Sequence, residues 1–140
     1  MKIYIAGSSN ELETVRPWIT ACKDIGLDIT LDWTIPVEKQ GGNPTNLPEE
    51  ERQGFAIEDL TAVEQADIFW LLVPSNHTSR GCWVEFGYAR AMALSNEIIT
   101  IASGDIKVSI FTAVADYAFL AHQQAFEFIR QYVDSKKVPA

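Results

Sequence analysis

Short apolar runs alternate along the chain with segments of helical periodicity. Residues 2–6 (KIYIA) are β-rich and end at a Gly-Ser-Ser-Asn turn, which predicts a first strand. Apolar positions then recur three and four residues apart from Leu12 to Ile25, which predicts a helix that Gly26 ends. Residues 67–74 (DIFWLLVP) form a continuous apolar run of strand length. Such a run is typical of a central strand in a parallel sheet that is covered on both faces.

The remaining pattern continues the alternation of strands and helices. It predicts a weaker strand over 28–33, helices over 49–65, 82–94 and 123–133, and further strands over 98–102 and 117–120. This order favours an α/β fold, namely a Rossmann-like or flavodoxin-like three-layer sandwich whose mostly parallel sheet has about five strands. No repeat, low-complexity stretch or linker interrupts the 140 residues, so we expect one domain over 1–140.

The segment from residue 34 to 48 has a different composition. It contains Pro36, Gly41, Gly42, Pro44 and Pro48, which we expect to interrupt any regular element. The prediction is therefore one long loop, and a loop of that length in a compact domain is often functional.

The charge balance limits the partners that the protein can have. Nineteen acidic residues against 11 basic ones give a net charge of -8, and the basic residues do not cluster. Affinity for a phosphate backbone comes from clustered Lys and Arg, so the charge balance argues against a nucleic-acid polymer and we expect no such partner. A small anion can still be held by one or two cations and backbone amides.

Features that the sequence lacks bear on the cellular compartment and on cofactors. The apolar part of the N-terminus is too short for a signal peptide, and no apolar run approaches the roughly 20 residues that span a membrane. Cys22 and Cys82 fit a reducing compartment better than a disulfide framework, so we expect a cytoplasmic protein. His77 and His122 have no partner at metal-ligand spacing, and we expect neither a metal nor a cofactor.

Ligands of open α/β sheets bind outside the carboxyl ends of the strands. Three segments are predicted to lie there: 7–10, the loop from residue 34, and 75–85. The third places Ser79 and Gly81 at a strand-to-helix turn and Glu85 one turn into the helix, among apolar neighbours. The residues alone leave two interpretations of Glu85: a surface glutamate, or a carboxylate in an apolar cleft that acts as a nucleophile or general acid.

Three segments in order carry a family resemblance. They are residues 2–8 (KIYIAGS), Asp59-Leu60 followed by Ala66-Asp67 and an apolar strand, and Ser79 with Gly81-x-x-x-Glu85-x-Gly87-x-Ala89. Together they resemble the nucleoside 2-deoxyribosyltransferase family, including its hydrolytic relatives that act on 2′-deoxynucleoside 5′-monophosphates. The resemblance runs from the first strand to the third helix.

The resemblance implies a double displacement at an N-glycosidic bond. Glu85 matches the family's catalytic glutamate, which attacks C1′ of the sugar and forms a glycosyl-enzyme ester. Either a second base or water then resolves the ester. Tyr4 matches a tyrosine that orients this glutamate, and Asp59 matches an aspartate that binds substrate and assists proton delivery to the base.

The resemblance also implies contacts with the rest of the ligand. Ser79 and Gly81 match positions at the sugar or phosphate end. Relatives that bind a 5′-phosphate have an arginine just after the first-strand Gly-Ser, where this chain has Ser8-Ser9-Asn10-Glu11. Arg80 is the candidate replacement cation.

Further binding candidates come from the strand ends. Gly7 and Ser8 follow the first strand, and Trp33 is an aromatic that could stack on a base. Gly7 and Gly81 are expected to be required for backbone geometry. Because family members build their sites partly from a neighbouring subunit, the resemblance also implies a homodimer or larger homo-oligomer.

Three alternatives stay open at this stage. The domain could be a nucleotide-binding or sensing module without turnover, or a glycohydrolase of NAD-like nucleotides. Cys82, at the start of a helix, could also be a reactive thiol. Transfer or hydrolysis, the preferred base, the sugar and the need for a 5′-phosphate are not decided by the sequence.

Overall fold

The computed structural model describes residues 1–42, 46–75 and 79–137, and its centre is a five-stranded parallel sheet. The strands are β1 (Lys2–Ala6), β2 (Asp28–Ile29), β3 (Ile68–Leu72), β4 (Ile99–Ser103) and β5 (Tyr117–Phe119). Their order in the sheet is β2-β1-β3-β4-β5, and every neighbouring pair is parallel. This order is that of flavodoxin-like folds, so the predicted fold class is confirmed.

Helices cover both faces of the sheet. They are α1 (Leu12–Asp24), α2 (Thr34–Lys39), α3 (Glu49–Glu64), α4 (Gly81–Met92) and α5 (His122–Ser135), with a short 3₁₀ helix over Ile110–Val114. Trp18 of α1 packs against Phe126 of α5, with ring centroids 5.6 Å apart. The Tyr88 hydroxyl of α4 donates a hydrogen bond to the Glu64 carboxylate at the end of α3. None of the described helices is long and apolar enough to cross a membrane.

Strand β3 explains why the sequence showed a continuous apolar run. All five of its residues are buried. Phe69 packs against Phe86 of α4 at 6.1 Å, whereas the next residue, Trp70, packs against Trp18 of α1 at 5.5 Å. Successive side chains of a strand point to opposite faces, so a central strand between two helix layers needs apolar residues at every position.

The prediction of an irregular segment from residue 34 is wrong in part, because α2 occupies Thr34–Lys39. Pro36 is the third residue of this helix. A proline in the first turn loses no helical hydrogen bond, since the amide at that position has no intrahelical acceptor. Gly41 and Gly42 follow with positive φ angles of 73° and 140°, and they turn the chain away from the helix. Pro44, also in the predicted loop, lies outside the described residues.

Strand β2 is much shorter than the predicted 28–33. The amides of Asp28 and Thr30 donate to the carbonyl oxygens of Met1 and Ile3, as a parallel ladder requires. The next acceptor on β1, the Ile5 carbonyl, instead receives the indole N–H of Trp33 at 2.7 Å. A side chain therefore takes the position where the strand would have continued.

The connections leave a crevice at the carboxyl ends of β1 and β3. The chain leaves β1 through α1 toward the β2 edge, and it leaves β3 through α4 toward the β4 side. Neighbouring strands whose connections run in opposite directions cannot close over their shared edge, and ligand sites form there.

Candidate active site

A cavity of about 380 Å³ opens at the carboxyl ends of β1 and β3. The turn after β1, helix α2, one face of α3 and the start of α4 surround it. Its volume lies within the range of cavities that hold small-molecule ligands. The chemistry of its lining differs from one wall to the next.

Glu85 supplies the buried carboxylate of this cavity. It is the fifth residue of α4 and is only 9% exposed. The Tyr4 hydroxyl, from β1, donates a hydrogen bond to Glu85 Oε2. Burial raises the pKa of Glu85 to about 8, an effect that the Tyr4 hydrogen bond opposes and the nearby charge of Asp59 reinforces. Glu85 is therefore a carboxyl group of raised basicity, fixed in direction by a neutral donor.

Asp59 and Tyr4 complete this cluster. Burial raises the pKa of Asp59 to about 6, and the charge of Glu58 adds to the effect. Asp59 therefore retains a proton more readily than an exposed aspartate does. The pKa of Tyr4 is raised well above its ordinary value by burial and then by the charge of Glu85, so its hydroxyl stays protonated and remains a donor.

The polar wall comes from the turn after β1 and from the start of α4. The Ser8 and Ser79 hydroxyls share a hydrogen bond, and the Asn10 amide donates to Ser8 Oγ at 3.1 Å. These bonds hold the turn after β1 next to the residues that precede α4. Arg80 and Gly81 stand at the N-terminus of α4, where amides and the helix dipole favour negative charge. This wall is suited to an anion or to sugar hydroxyls.

The opposite wall is apolar. Trp33, Pro36 and Val37 contribute to it from the α2 side, and Phe55 and Ala56 contribute from α3. The indole N–H of Trp33 is already bound to a backbone carbonyl, so its ring offers the cavity only apolar contact.

Helix α2 is held against α1 by a polar contact. Arg16 donates to the Thr34 carbonyl at 3.3 Å and forms an ion pair with Glu38. Two contacts therefore hold the apolar wall in place: the hydrogen bond of the Trp33 indole to the backbone, and the contacts of Arg16 with α2.

The structure brings most of the predicted site residues together around one cavity. Those that line it are Gly7, Trp33, Asp59, Ser79, Arg80, Gly81 and Glu85. Tyr4 and Ser8 lie behind the lining, both buried, and each holds a lining residue through its hydroxyl. Their roles in binding and catalysis stay predictions.

Ten further residues line the cavity. Six of them lie in segments that were predicted to border a ligand: Ser9, Asn10, Pro36, Val37, Cys82 and Val84. The other four lie in α3 and were not predicted as lining residues: Arg52, Phe55, Ala56 and Leu60. The helical pattern contained a signal for part of this set. Arg52, Phe55 and Ala56 precede Asp59 by seven, four and three residues, the spacing of one helix face.

One alternative and one expectation are wrong. Cys82 is 2% exposed, and burial together with the charge of Glu85 raises the pKa of its thiol to about 12, so a reactive thiolate is strongly disfavoured. Gly81 has no positive φ angle, and a Cβ built on it would meet nothing within 4 Å, so the backbone does not require glycine there.

Gly7 is different. A Cβ on Gly7 would lie 2.8 Å from Val15 Cγ2, so the close approach of β1 and α1 requires glycine at this position.

His122 belongs to no metal-binding group in the described part of the chain. No group of three or more His, Cys, Asp or Glu residues with metal-binding geometry occurs within 1–42, 46–75 and 79–137. His122 shares a hydrogen bond through Nδ1 with Ser103 Oγ at 2.7 Å. His77 lies outside the described residues.

Comparisons with known proteins give a likeness of fold. No family model matches the chain, and no curated protein matches it. Among solved structures, a CMP N-glycosidase from Clostridium botulinum, BcmB, superimposes with a TM-score of 0.54. The alignment covers 98% of this chain and 100% of that one, with 15% sequence identity. The two proteins therefore share their architecture from end to end.

Proposed function

We propose that this protein cleaves the N-glycosidic bond of a nucleoside or nucleoside 5′-monophosphate, with Glu85 as the nucleophile. The observation that supports this most strongly is the buried Glu85 carboxylate, which accepts a hydrogen bond from Tyr4 and lies beside Asp59 in a ligand-sized cavity. The structural neighbour is named for the cleavage of CMP, which makes a nucleoside monophosphate the first substrate to test.

The proposed first step displaces the base. An ionised Glu85 oxygen attacks C1′ of the sugar as the C1′–N bond breaks, and the bonding electrons pass to the base nitrogen. Asp59 donates the proton that the departing base requires. Its raised pKa supports this role, because a carboxyl group with a pKa of about 6 still carries its proton in part of the molecules near neutral pH.

The proposed second step releases the sugar. Water attacks C1′ of the glycosyl ester, its proton passes to the Asp59 carboxylate, and Glu85 leaves as a carboxylate. Both groups then return to their initial states. If a second base attacks in place of water, the same chemistry gives base exchange. Tyr4 supports both steps, because its hydroxyl holds the Glu85 carboxylate in one orientation.

The two walls of the cavity fit the two ends of such a substrate. The base would pack on the apolar wall that includes Trp33. A 5′-phosphate would lie against the polar wall, close to Arg80 and the first-turn amides of α4. The sugar between them would bring C1′ to Glu85.

The test is base release by the purified protein. Nucleosides, their 5′-monophosphates and NAD are incubated with and without an acceptor base, and the products are separated by chromatography. We expect release from at least one nucleoside or monophosphate. Glu85→Gln should lower the rate by orders of magnitude, because it removes the nucleophile but keeps the side-chain shape. Glu97→Gln, on the exposed turn before β4, is the matched control.

The outcomes separate the alternatives. Release that survives in Glu85→Gln would exclude the proposed nucleophile. Thermal stabilisation by nucleotides without any release would favour a binding module. Cleavage of NAD alone would favour the glycohydrolase alternative.

We further propose that the protein is a homodimer. A second cavity of about 660 Å³ lies beside the first, between α4 and the 3₁₀ helix, and the two share Ser79 and Val84. Large apolar side chains border it with much of their surface exposed: Val84 at 63%, Phe111 at 62% and Val114 at 50%. Ile110, in the same 3₁₀ helix, is 81% exposed. A concentrated apolar surface of this kind is typical of a protein interface.

A further inference from the structure

The five arginines of this acidic protein differ in whether they form an ion pair. Of the five, three form ion pairs with carboxylates: Arg16 with Glu38, Arg90 with Asp116, and Arg130 with Glu127. The other two, Arg52 and Arg80, form no ion pair within the described part of the chain, and both line the active-site cavity. Both guanidinium groups are therefore available to acceptor groups of a ligand in this cavity.

The two arginines reach the cavity from different elements. Arg80 directly precedes α4, between Ser79 and Gly81, on the wall suited to an anion. Arg52 lies on α3, seven residues before Asp59, which places it about 10 Å from Asp59 along the helix axis. It shares its helix face with Phe55 and Ala56, so it borders the apolar wall.

The surroundings of Arg52 disfavour a phosphate group. Residues 49–51 are all glutamates and form the first turn of α3 directly before Arg52. Their negative charge opposes the approach of a dianion, but it does not oppose a neutral group with hydrogen-bond acceptors. Arg52 is therefore better suited to the edge of a base than to a phosphate.

We propose that Arg52 determines base specificity by donating two parallel hydrogen bonds to adjacent acceptors on the edge of the base. This inference rests on the proposed function. The guanidinium group presents its N–H donors as a rigid fork that matches two neighbouring acceptors. Cytosine offers O2 and N3, and guanine offers O6 and N7. Adenine and uracil have no pair of adjacent acceptors that point in the same direction, so they satisfy only one arm of the fork. The protein should prefer cytosine and guanine nucleotides.

The experiment compares base selectivity with phosphate selectivity. The values of kcat/KM for CMP, GMP, AMP, UMP and cytidine are measured for the wild type, Arg52→Gln, Arg52→Lys and Arg130→Gln. Arg130 is the matched control, because it is an exposed arginine in α5 outside the cavity lining. In Arg52→Gln we expect the CMP-to-AMP and GMP-to-AMP ratios to fall about tenfold, the value of one good bidentate contact. The CMP-to-cytidine ratio should stay unchanged.

Arg52→Lys distinguishes the fork from the charge alone. An ammonium group keeps the charge but cannot form the paired contact, so the same loss of base selectivity is expected. Base ratios that survive in Arg52→Gln would overturn the proposal. A fall in the CMP-to-cytidine ratio instead would assign Arg52 to the phosphate and overturn it as well.

Binding measurements separate this inference from the proposed reaction. The dissociation constants of CMP and AMP are measured by calorimetry on Glu85→Gln and on Glu85→Gln with Arg52→Gln, so that no substrate is consumed. Selective binding of CMP that disappears with Arg52→Gln supports the role of Arg52, even if the wild type turns over no substrate. Equal binding of CMP and AMP by Glu85→Gln overturns the role of Arg52. Failure of both ligands to bind overturns the role of Arg52, whereas the proposed reaction is decided by the base-release experiment.

Discussion

Glu85 and Asp59 are two buried carboxyl groups whose pKa values lie near 8 and near 6. The proposed chemistry needs Glu85 ionised and Asp59 protonated at the same time. Because the two groups interact, they titrate as a pair, and between the two pKa values the pair carries one proton, which resides mostly on Glu85, the group with the higher pKa. The reactive form, with that proton on Asp59, is the minor form of the same protonation state and is populated over the same pH range. Burial of both groups in one cluster therefore sets the pH range of the reaction.

A bell-shaped dependence of kcat/KM on pH is the expected result, with limbs near pH 6 and pH 8 and a maximum near pH 7. Asp59→Asn should remove the basic limb, since no proton can then be lost from the acid. The remaining limb should have a midpoint below pH 8, because the charge of Asp59 that raises the pKa of Glu85 is gone. A rate profile over pH 4.5 to 9.5 tests this, and a bell retained by Asp59→Asn would contradict the assignment.

At the residue scale, the sequence predicted which residues belong to the site better than it predicted the surroundings of their side chains. Glu85, Asp59 and Tyr4 were identified through a family resemblance, and the structure places them together. Their raised pKa values depend on burial by α3, α4 and β1 at once, which no local pattern reports. Arg52 was missed because the role proposed for it rests on its lack of an ion pair and on its position on a cavity wall, which the sequence does not show.

At the element scale, the strands and helices were predictable where the apolar pattern was long. Strand β1 was predicted at its observed bounds, and helices α3 and α4 within two residues. Errors arose where tertiary contacts decide whether a strand ends or a short helix forms. Trp33 ends β2 by taking the Ile5 carbonyl, and the Arg16 contact holds the short α2. The 3₁₀ helix over Ile110–Val114 was not predicted, because a segment of five residues is too short for helical periodicity to be recognised.

The close packing of β1 on α1 predicts the effect of a single methyl group. Gly7→Ala would place its Cβ against Val15 Cγ2, and such overpacking should lower the free energy of unfolding by about 1–3 kcal/mol. In a Val15→Ala background the same change should cost less, because the opposing methyl group is gone. Urea denaturation of the four proteins measures the difference. Gly81→Ala, which meets no neighbour, is the control and should change the stability by less than about 0.5 kcal/mol. Equal costs in both backgrounds would show that the Val15 contact is not the cause.

At the scale of the whole molecule, the exposed apolar residues predict association. A stable dimer buries about 800 Å² of surface on each partner. The apolar surface around the second cavity is the proposed dimer interface. Ile110→Asp and Phe111→Asp should therefore convert a dimer into monomers, as measured by sedimentation velocity. Leu94→Asp, on a lone residue that is 91% exposed, should not. A wild-type protein that sediments as a monomer at micromolar concentration would contradict the prediction.

The topology of the whole molecule was predictable because one strand identifies it. The continuous apolar run of β3 requires two covering layers, and alternating helices with parallel connections leave few other arrangements. The position of the cavity followed from the same rule, at the carboxyl ends of β1 and β3. The shape of the cavity did not follow from this rule, because the sequence did not predict that α2 and one face of α3 would line it together.

The indole of Trp33 on the Ile5 carbonyl also affects how copies of this protein can meet in a crowded solution. An open sheet is at risk of adding strands from other molecules along its edges. Here the outer strands are only two and three residues long, and the side chain of Trp33 covers the next free acceptor on β1. Neither edge offers a template long enough for edge-to-edge growth into aggregates. The tryptophan that forms part of the proposed base site thus also protects the sheet from polymerisation.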